Sequence, residues 1–229
     1  MHQEPQAPIA SPRENAMAKI LHLLVSISRM LPVIMFLLAA TDAEAADNAS
    51  EPELKVDNHS FSKCITEMTP VRHFYVDNLL GNLEGTVAVA KAGRGEYPGG
   101  SVVQLIPNEV MIKHEKGFNP ATRDWEFFYI DVDEHGSKIF RRGFAEVNNR
   151  FGQNCFACHA QAREEFDLIC EQDHGCAPIP VTRAMIRALQ RTDPRCKNQQ
   201  PVSTEDTQAL KDLGEVFKAL KGGQETDKR

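Results

Sequence analysis

Residues 109–132 read EVMIKHEKGFNPATRDWEFFYIDV. Glu109 to His114 centres on the apolar run Val110-Met111-Ile112, and Trp125 to Val132 is rich in aromatic and β-branched residues, so both read as strands. Gly117 to Arg123 is a polar loop long enough to reverse the chain between them. In a regular strand Glu109 and Met111 share one face, and Trp125 and Phe127 share one face of the next strand.

The same pattern extends on both sides. Val71 to Asp77 (VRHFYVD) reads as a strand, and Leu83 to Ala92 as a short helix closed by Gly93. Tyr97 to Gly100 is a turn leading into a strand over Ser101 to Ile106. Lys138 to Arg142 follows the Glu134-His135-Gly136 turn as a further strand. Beyond residue 180 the period becomes helical. Val181 to Gln190 is one helix. Ser203 to Leu220 is another, with Ser203 or Thr204 as N-cap and Gly222-Gly223 as its stop. Leu210, Leu213, Val216, Phe217 and Leu220 fall on one face of that helix. The expected fold is α+β: an antiparallel β-sheet with flanking helices over residues 61–180, and a helical C-terminal extension over residues 181–229.

The N-terminal 45 residues read as an export signal. Met17-Ala18-Lys19 offers a start and a positive n-region, Leu31 to Ala40 (LPVIMFLLAA) the apolar h-region, and Ala43-Glu44-Ala45 a small-residue cleavage site. The h-region falls short of the ~20 apolar residues of a membrane span, although Ile20 to Leu31 lengthens the apolar stretch and leaves an uncleaved anchor as the alternative. Residues 46–60 read as a flexible leader, and the expected location is the periplasm. The formal net charge is −6 with no local basic patch, which argues against nucleic acid as a partner.

An exported chain with six cysteines, at 64, 155, 158, 170, 176 and 196, does not keep them all as free thiols. Cys155 and Cys158 stand in Cys-Phe-Ala-Cys-His, the attachment pattern of c-type haem. The spacing has a chemical reason: each thiol adds to one vinyl group of the porphyrin, and the next residue, His159, is then placed to ligate the iron. Two alternatives stand beside it. A structural zinc needs about four N or S ligands, and Cys170 and Cys176 would be a poorly spaced second pair. A thioredoxin-like redox pair opens a helix after a central strand, whereas this motif comes late, after a polar turn. Four other cysteines allow three connectivities. Loop length favours Cys170 with Cys176 and Cys64 with Cys196, with free thiols as the alternative.

The ordered blocks VRHFYVD, EYPGGSVV, EVMIKHEKGFNPATRDWEFFY and CFACH resemble the cytochrome P-460 family and its cytochrome c′-beta relatives. The resemblance runs from about Val71 to His159. It implies an antiparallel sheet with flanking helices, a homodimer, and one covalent haem c held by Cys155 and Cys158. His159 would be the proximal iron ligand, opposite an open distal pocket. P-460 enzymes oxidise hydroxylamine and carry a lysine cross-linked to the porphyrin. The c′-beta members lack the cross-link and bind small gases such as nitric oxide. Leu105 stands at the position aligned with that lysine, and Lys91 and Lys113 are the nearest substitutes, each with a plain reading as a solvent-facing side chain. Glu109 aligns with the family's distal acid, where a carboxylate could act as general base. Met111 would line the pocket, ligate the iron or pack in the core. His73, His114, His135 and His174 are the alternatives for a sixth iron ligand, which would make the protein an electron carrier. The resemblance also implies a periplasmic electron acceptor as partner.

Overall fold

The computed structural model describes residues 54–198 and 201–226, with side chains to residue 220. The expected signal and most of the expected leader lie outside these residues. Six strands, β1 (Thr69–Val71), β2 (Phe74–Asn78), β3 (Ser101–Ile106), β4 (Glu109–Lys113), β5 (Trp125–Asp133) and β6 (Gly136–Gly143), form one antiparallel sheet. Its strand order is the sequence order. Each strand therefore pairs with its chain neighbour, and every connection is local except β2 to β3. That connection carries the helix α1 (Leu83–Ala92).

Period-two alternation divides the sheet's side chains between two faces. One row runs Val76, Val103, Met111, Phe127, Gly143 across five strands. Its Val76, Val103, Met111 and Phe127 belong to a buried cluster with Val71, Phe74, Trp125, Val147, Leu168 and Ile169. The residues of the other face, Val102, Val110, Ile112, Phe128 and Ile130, pack on Phe61, Ile65 and Met68 from the N-terminal segment.

The strand expected over Val71 to Asp77 is instead the end of β1, a two-residue turn, and β2. Val71 pairs with Phe74, and Arg72 takes φ +53°. A guanidinium side chain does not announce a left-handed turn. Arg72 is held there by a bidentate pair with Glu171. The helix α1 has the bounds its sequence predicts. Asn82 caps its N-terminus by accepting the Gly85 N–H at 3.1 Å, and Gly93 ends it at φ +69°. Gly100 is needed where the chain enters β3. It sits at φ +80°, and a Cβ there would lie 2.8 Å from the Leu80 nitrogen.

Within the expected leader, residues 54–60 pack against the sheet. Leu54 and Val56 touch the second cluster, and Asn58 Oδ1 accepts the Ile139 N–H at 2.8 Å. Three further helices are α2 (Cys155–His159), α3 (Arg183–Arg191) and α4 (Thr204–Thr226). The helix α4 does not stop at Gly222-Gly223; it runs through both. Met185 and Ala188 of α3 bury against Ala209 and Leu213 of α4, so part of the predicted apolar face covers α3. Gln190 joins α3 to the sheet by donating to the carbonyls of His73 (2.9 Å) and Leu105 (2.7 Å). Disulfides join Cys64 to Cys196 and Cys170 to Cys176, the pairing favoured by loop length. Residues 181–226 thus belong to the same compact unit as the sheet. Among the described residues no helix is long and apolar enough to cross a membrane.

Candidate functional site

Cys155, Cys158 and His159 sit on α2, a helix of five residues. Asn154 organises its entry. Its Oδ1 accepts the Ala157 N–H at 2.8 Å, while its Nδ2 donates to the carbonyls of Phe144, Ala145 and Val147 at 3.0–3.2 Å. One side chain thus caps the helix and gathers the loop before it. Asparagine just before a short helical segment is an N-cap signal, the one local sign of this role in the sequence.

Both motif cysteines are free thiols, and the other four are consumed in disulfides. This counts against the zinc alternative for the motif. The second cysteine pair that a zinc site needs is oxidised, and no cluster of three or more metal-ligating side chains forms at the motif among the described residues. A redox pair needs a thiol with a depressed pKa. Here burial, with smaller contributions from Glu109 and Cys158, pushes the Cys155 thiol up to about 12, and burial also raises Cys158.

His159 points one ring nitrogen at the protein. Its Nδ1 lies 2.7 Å from the Leu168 carbonyl, and only an N–H can donate to that acceptor, so Nδ1 carries the proton. Nε2 accepts no hydrogen bond among the described residues. Burial lowers the imidazole's pKa, so the ring is neutral with a free lone pair on Nε2. The ring packs on Phe127, with centroids 5.4 Å apart.

Around the thiols lies an aromatic surface. Phe156, between the two cysteines, meets Phe127 at 6.1 Å and Phe144 at 6.0 Å. Further along, Tyr129 meets Phe140 at 6.2 Å. Phe140 is 58% exposed and Phe144 45%. The open Phe144 ring against Phe156, the two free thiols and the unsatisfied imidazole nitrogen suit a flat, apolar, covalently held ligand. The donor set fits haem c.

Glu109 opens β4 on the face that carries Met111, and it lies against the motif segment. Its Oε1 accepts the Arg150 N–H at 3.1 Å, and its other oxygen has no hydrogen-bond partner among the described residues. Burial raises its pKa, partly offset by Arg150. Met111 is buried in the first cluster. Leu105 is half-buried at an irregularity in β3 and packs on the same cluster. Lys113 is not the solvent-facing lysine its sequence suggests. It is 3% exposed and bonds both Asp167 oxygens, at 2.8 and 2.9 Å. Lys91 is exposed at the end of α1.

The other histidines are engaged elsewhere. His114 stacks on Phe118 at 3.7 Å and meets Glu126 at 2.8 Å, and Glu126 also takes a bidentate pair from Arg142. His174 stacks on Phe166 and bonds the Ile169 carbonyl through Nδ1 at 2.6 Å. His73 lies 3.9 Å from Glu171. His135 is exposed in the β5–β6 turn, beside Glu134. None of these contacts places an imidazole at the motif. No protein-family model, curated protein or solved structure matches the chain.

Proposed function

We propose that the chain is an exported, periplasmic mono-haem c-type cytochrome of the P-460 kind. It would bind or oxidise small nitrogen compounds, hydroxylamine or nitric oxide, at an open distal iron site. One observation carries this reading. Of six cysteines, the two left as thiols are those of the Cys-x-x-Cys-His helix, and the histidine beside them keeps Nε2 free while Nδ1–H is fixed. The haem supplies the redox-active iron to which a small ligand binds.

The chain's own residues have separate tasks. Cys155 and Cys158 would hold the porphyrin by thioethers. His159 offers its Nε2 lone pair, and the Leu168 carbonyl fixes its tautomer and ring plane. Phe127, Phe144 and Phe156 would give the group an apolar, water-poor surround. Glu109, whose pKa burial raises above the usual carboxylate value, would be the group that takes protons from a bound N–O compound. Electrons would leave to a periplasmic acceptor, and the protein would work as a homodimer.

A second reading, gas binding without turnover, is favoured by the lysines. Leu105 occupies the cross-linking position, and Lys113 is committed to Asp167. No lysine on that face of β3 or β4 is then free to bond the porphyrin. Hydroxylamine oxidation by the purified holoprotein, followed with a chemical electron acceptor, separates the two. Turnover that falls at least ~100-fold in Glu109→Gln supports the enzyme. Tight nitric oxide binding with no turnover supports the gas binder. A six-coordinate haem that ignores nitric oxide would leave only an electron carrier.

A further inference from the structure

Asp167 and Leu168 are two successive non-glycine residues in the left-handed region, at φ +48° and +63°. Each costs about 1–2 kcal/mol for an L-residue. Leucine has no polar side chain to offset that locally. Such strain persists where the surroundings over-determine the backbone.

The restraints all meet at Asp167. Its carboxylate receives Lys113 Nζ at 2.8 and 2.9 Å and the Tyr97 N–H at 2.9 Å. Nearby, the Gly95 N–H donates to the Glu165 carbonyl at 2.8 Å. The Lys113 ammonium also stands 5.3 Å from the Trp125 ring centroid. Lys113 ends β4 and Trp125 opens β5, where they are register partners. Leu168 and Ile169 bury their side chains in the main cluster. The product of these restraints is the direction of one carbonyl, that of Leu168, which receives His159 Nδ1–H at 2.7 Å.

We infer that Lys113 and Asp167 are positioning residues for the axial histidine: the buried ion pair holds the left-handed Asp167-Leu168 turn, and through it the carbonyl that orients and polarises His159. This rests on the haem reading above. A firmly held Nδ1–H···O=C bond makes an imidazole a stronger donor to iron, which stabilises the oxidised metal and stiffens the iron–histidine bond. A strand in the sheet's centre would thus set the electronics of a haem attached some forty residues later.

The experiment compares wild type, Asp167→Asn and the double variant Lys113→Met/Asp167→Leu, each produced as covalent holoprotein. The double variant replaces the ion pair by apolar residues of similar bulk, which buried sites tolerate, so it supplies a folded protein if the single variant does not. Expected are a lower iron–histidine stretching frequency in the ferrous protein and a more positive midpoint potential in both variants. Adding Leu168→Gly to Asp167→Asn, which lets that backbone adopt φ > 0 without strain, should return both values toward wild type. Unchanged frequency and potential in the folded variants would overturn the inference. The haem-free wild type and Asp167→Asn, compared by NMR, give the independent arm. The His159 Nδ1–H should be protected from exchange in wild type and at least tenfold less so in the variant; equal protection overturns the clamp. A wild type that takes up no haem instead overturns the haem reading, and with it the axial role.

Discussion

His159 has two ring nitrogens with different fates, and that division explains much of the site. Nδ1 is spent on a backbone carbonyl, so Nε2 is left to act. The side chains around it could be read from the sequence only in part. The Cys-x-x-Cys-His pattern is local, and its chemistry follows from its spacing. Lys113 looked like an ordinary strand lysine because its partner, Asp167, is 54 positions away and no local signal joins them. Glu109 gives a test at this scale. Its folded pKa is raised from 4.5 by burial, so the folded state holds its proton more tightly than the unfolded state. Stability from this group is present below pH 4.5 and is lost as pH rises through the folded value. Glu109→Gln removes that loss. In urea unfolding of variant and wild type, the variant should gain relative stability between pH 4 and pH 7. A constant difference would show that the carboxylate is not desolvated.

At the scale of elements, local signals and pair signals had different success. The helix α1 and the strand β3 have the bounds their sequence predicts, because caps and alternation lie within the elements themselves. The β1–β2 hairpin was read as one strand. Its apolar positions run on past the turn, and Arg72-His73 carries none of the glycine or asparagine chemistry that marks tight turns. The left-handed Arg72 is instead stabilised by Glu171, 99 positions on. Gly100 is the opposite case, a glycine whose backbone and surroundings both require it. Gly100→Ala should cost about 3 kcal/mol, from left-handed strain plus the contact with Leu80, and thermal unfolding would measure it. Leu213→Ala, which removes a buried contact between α4 and α3, should likewise cost about 3 kcal/mol. A loss under 0.5 kcal/mol would mean that α4 is not docked there in solution.

Among the described residues, the sheet runs in sequence order and long-range contacts join distant segments to it, a disulfide among them. Cys64 and Cys196 lie 132 positions apart, and their disulfide ties the N-terminal segment to the end of α3. Chain entropy assigns a loop of that length about 5 kcal/mol, against about 2 for the six-residue Cys170–Cys176 loop. Cys64→Ser/Cys196→Ser should therefore lower stability by more than the other double variant, and denaturant unfolding of both would show it. The α+β class and the antiparallel sheet were legible because each strand pairs with its neighbour in sequence. The docking of α3 on the sheet through Gln190, and the use of residues 54–60 to cover the second face, were not. Both depend on contacts between distant parts of the chain. The central claim, that α2 carries a covalent haem, is met most directly by one measurement. The protein is produced together with a c-type haem attachment system, and its intact mass and reduced pyridine spectrum are recorded. The account predicts the mass of one haem added, a two-thioether spectrum, and loss of both in Cys155→Ser/Cys158→Ser. A bare polypeptide mass, with Cys155 and Cys158 both open to alkylation, would contradict it.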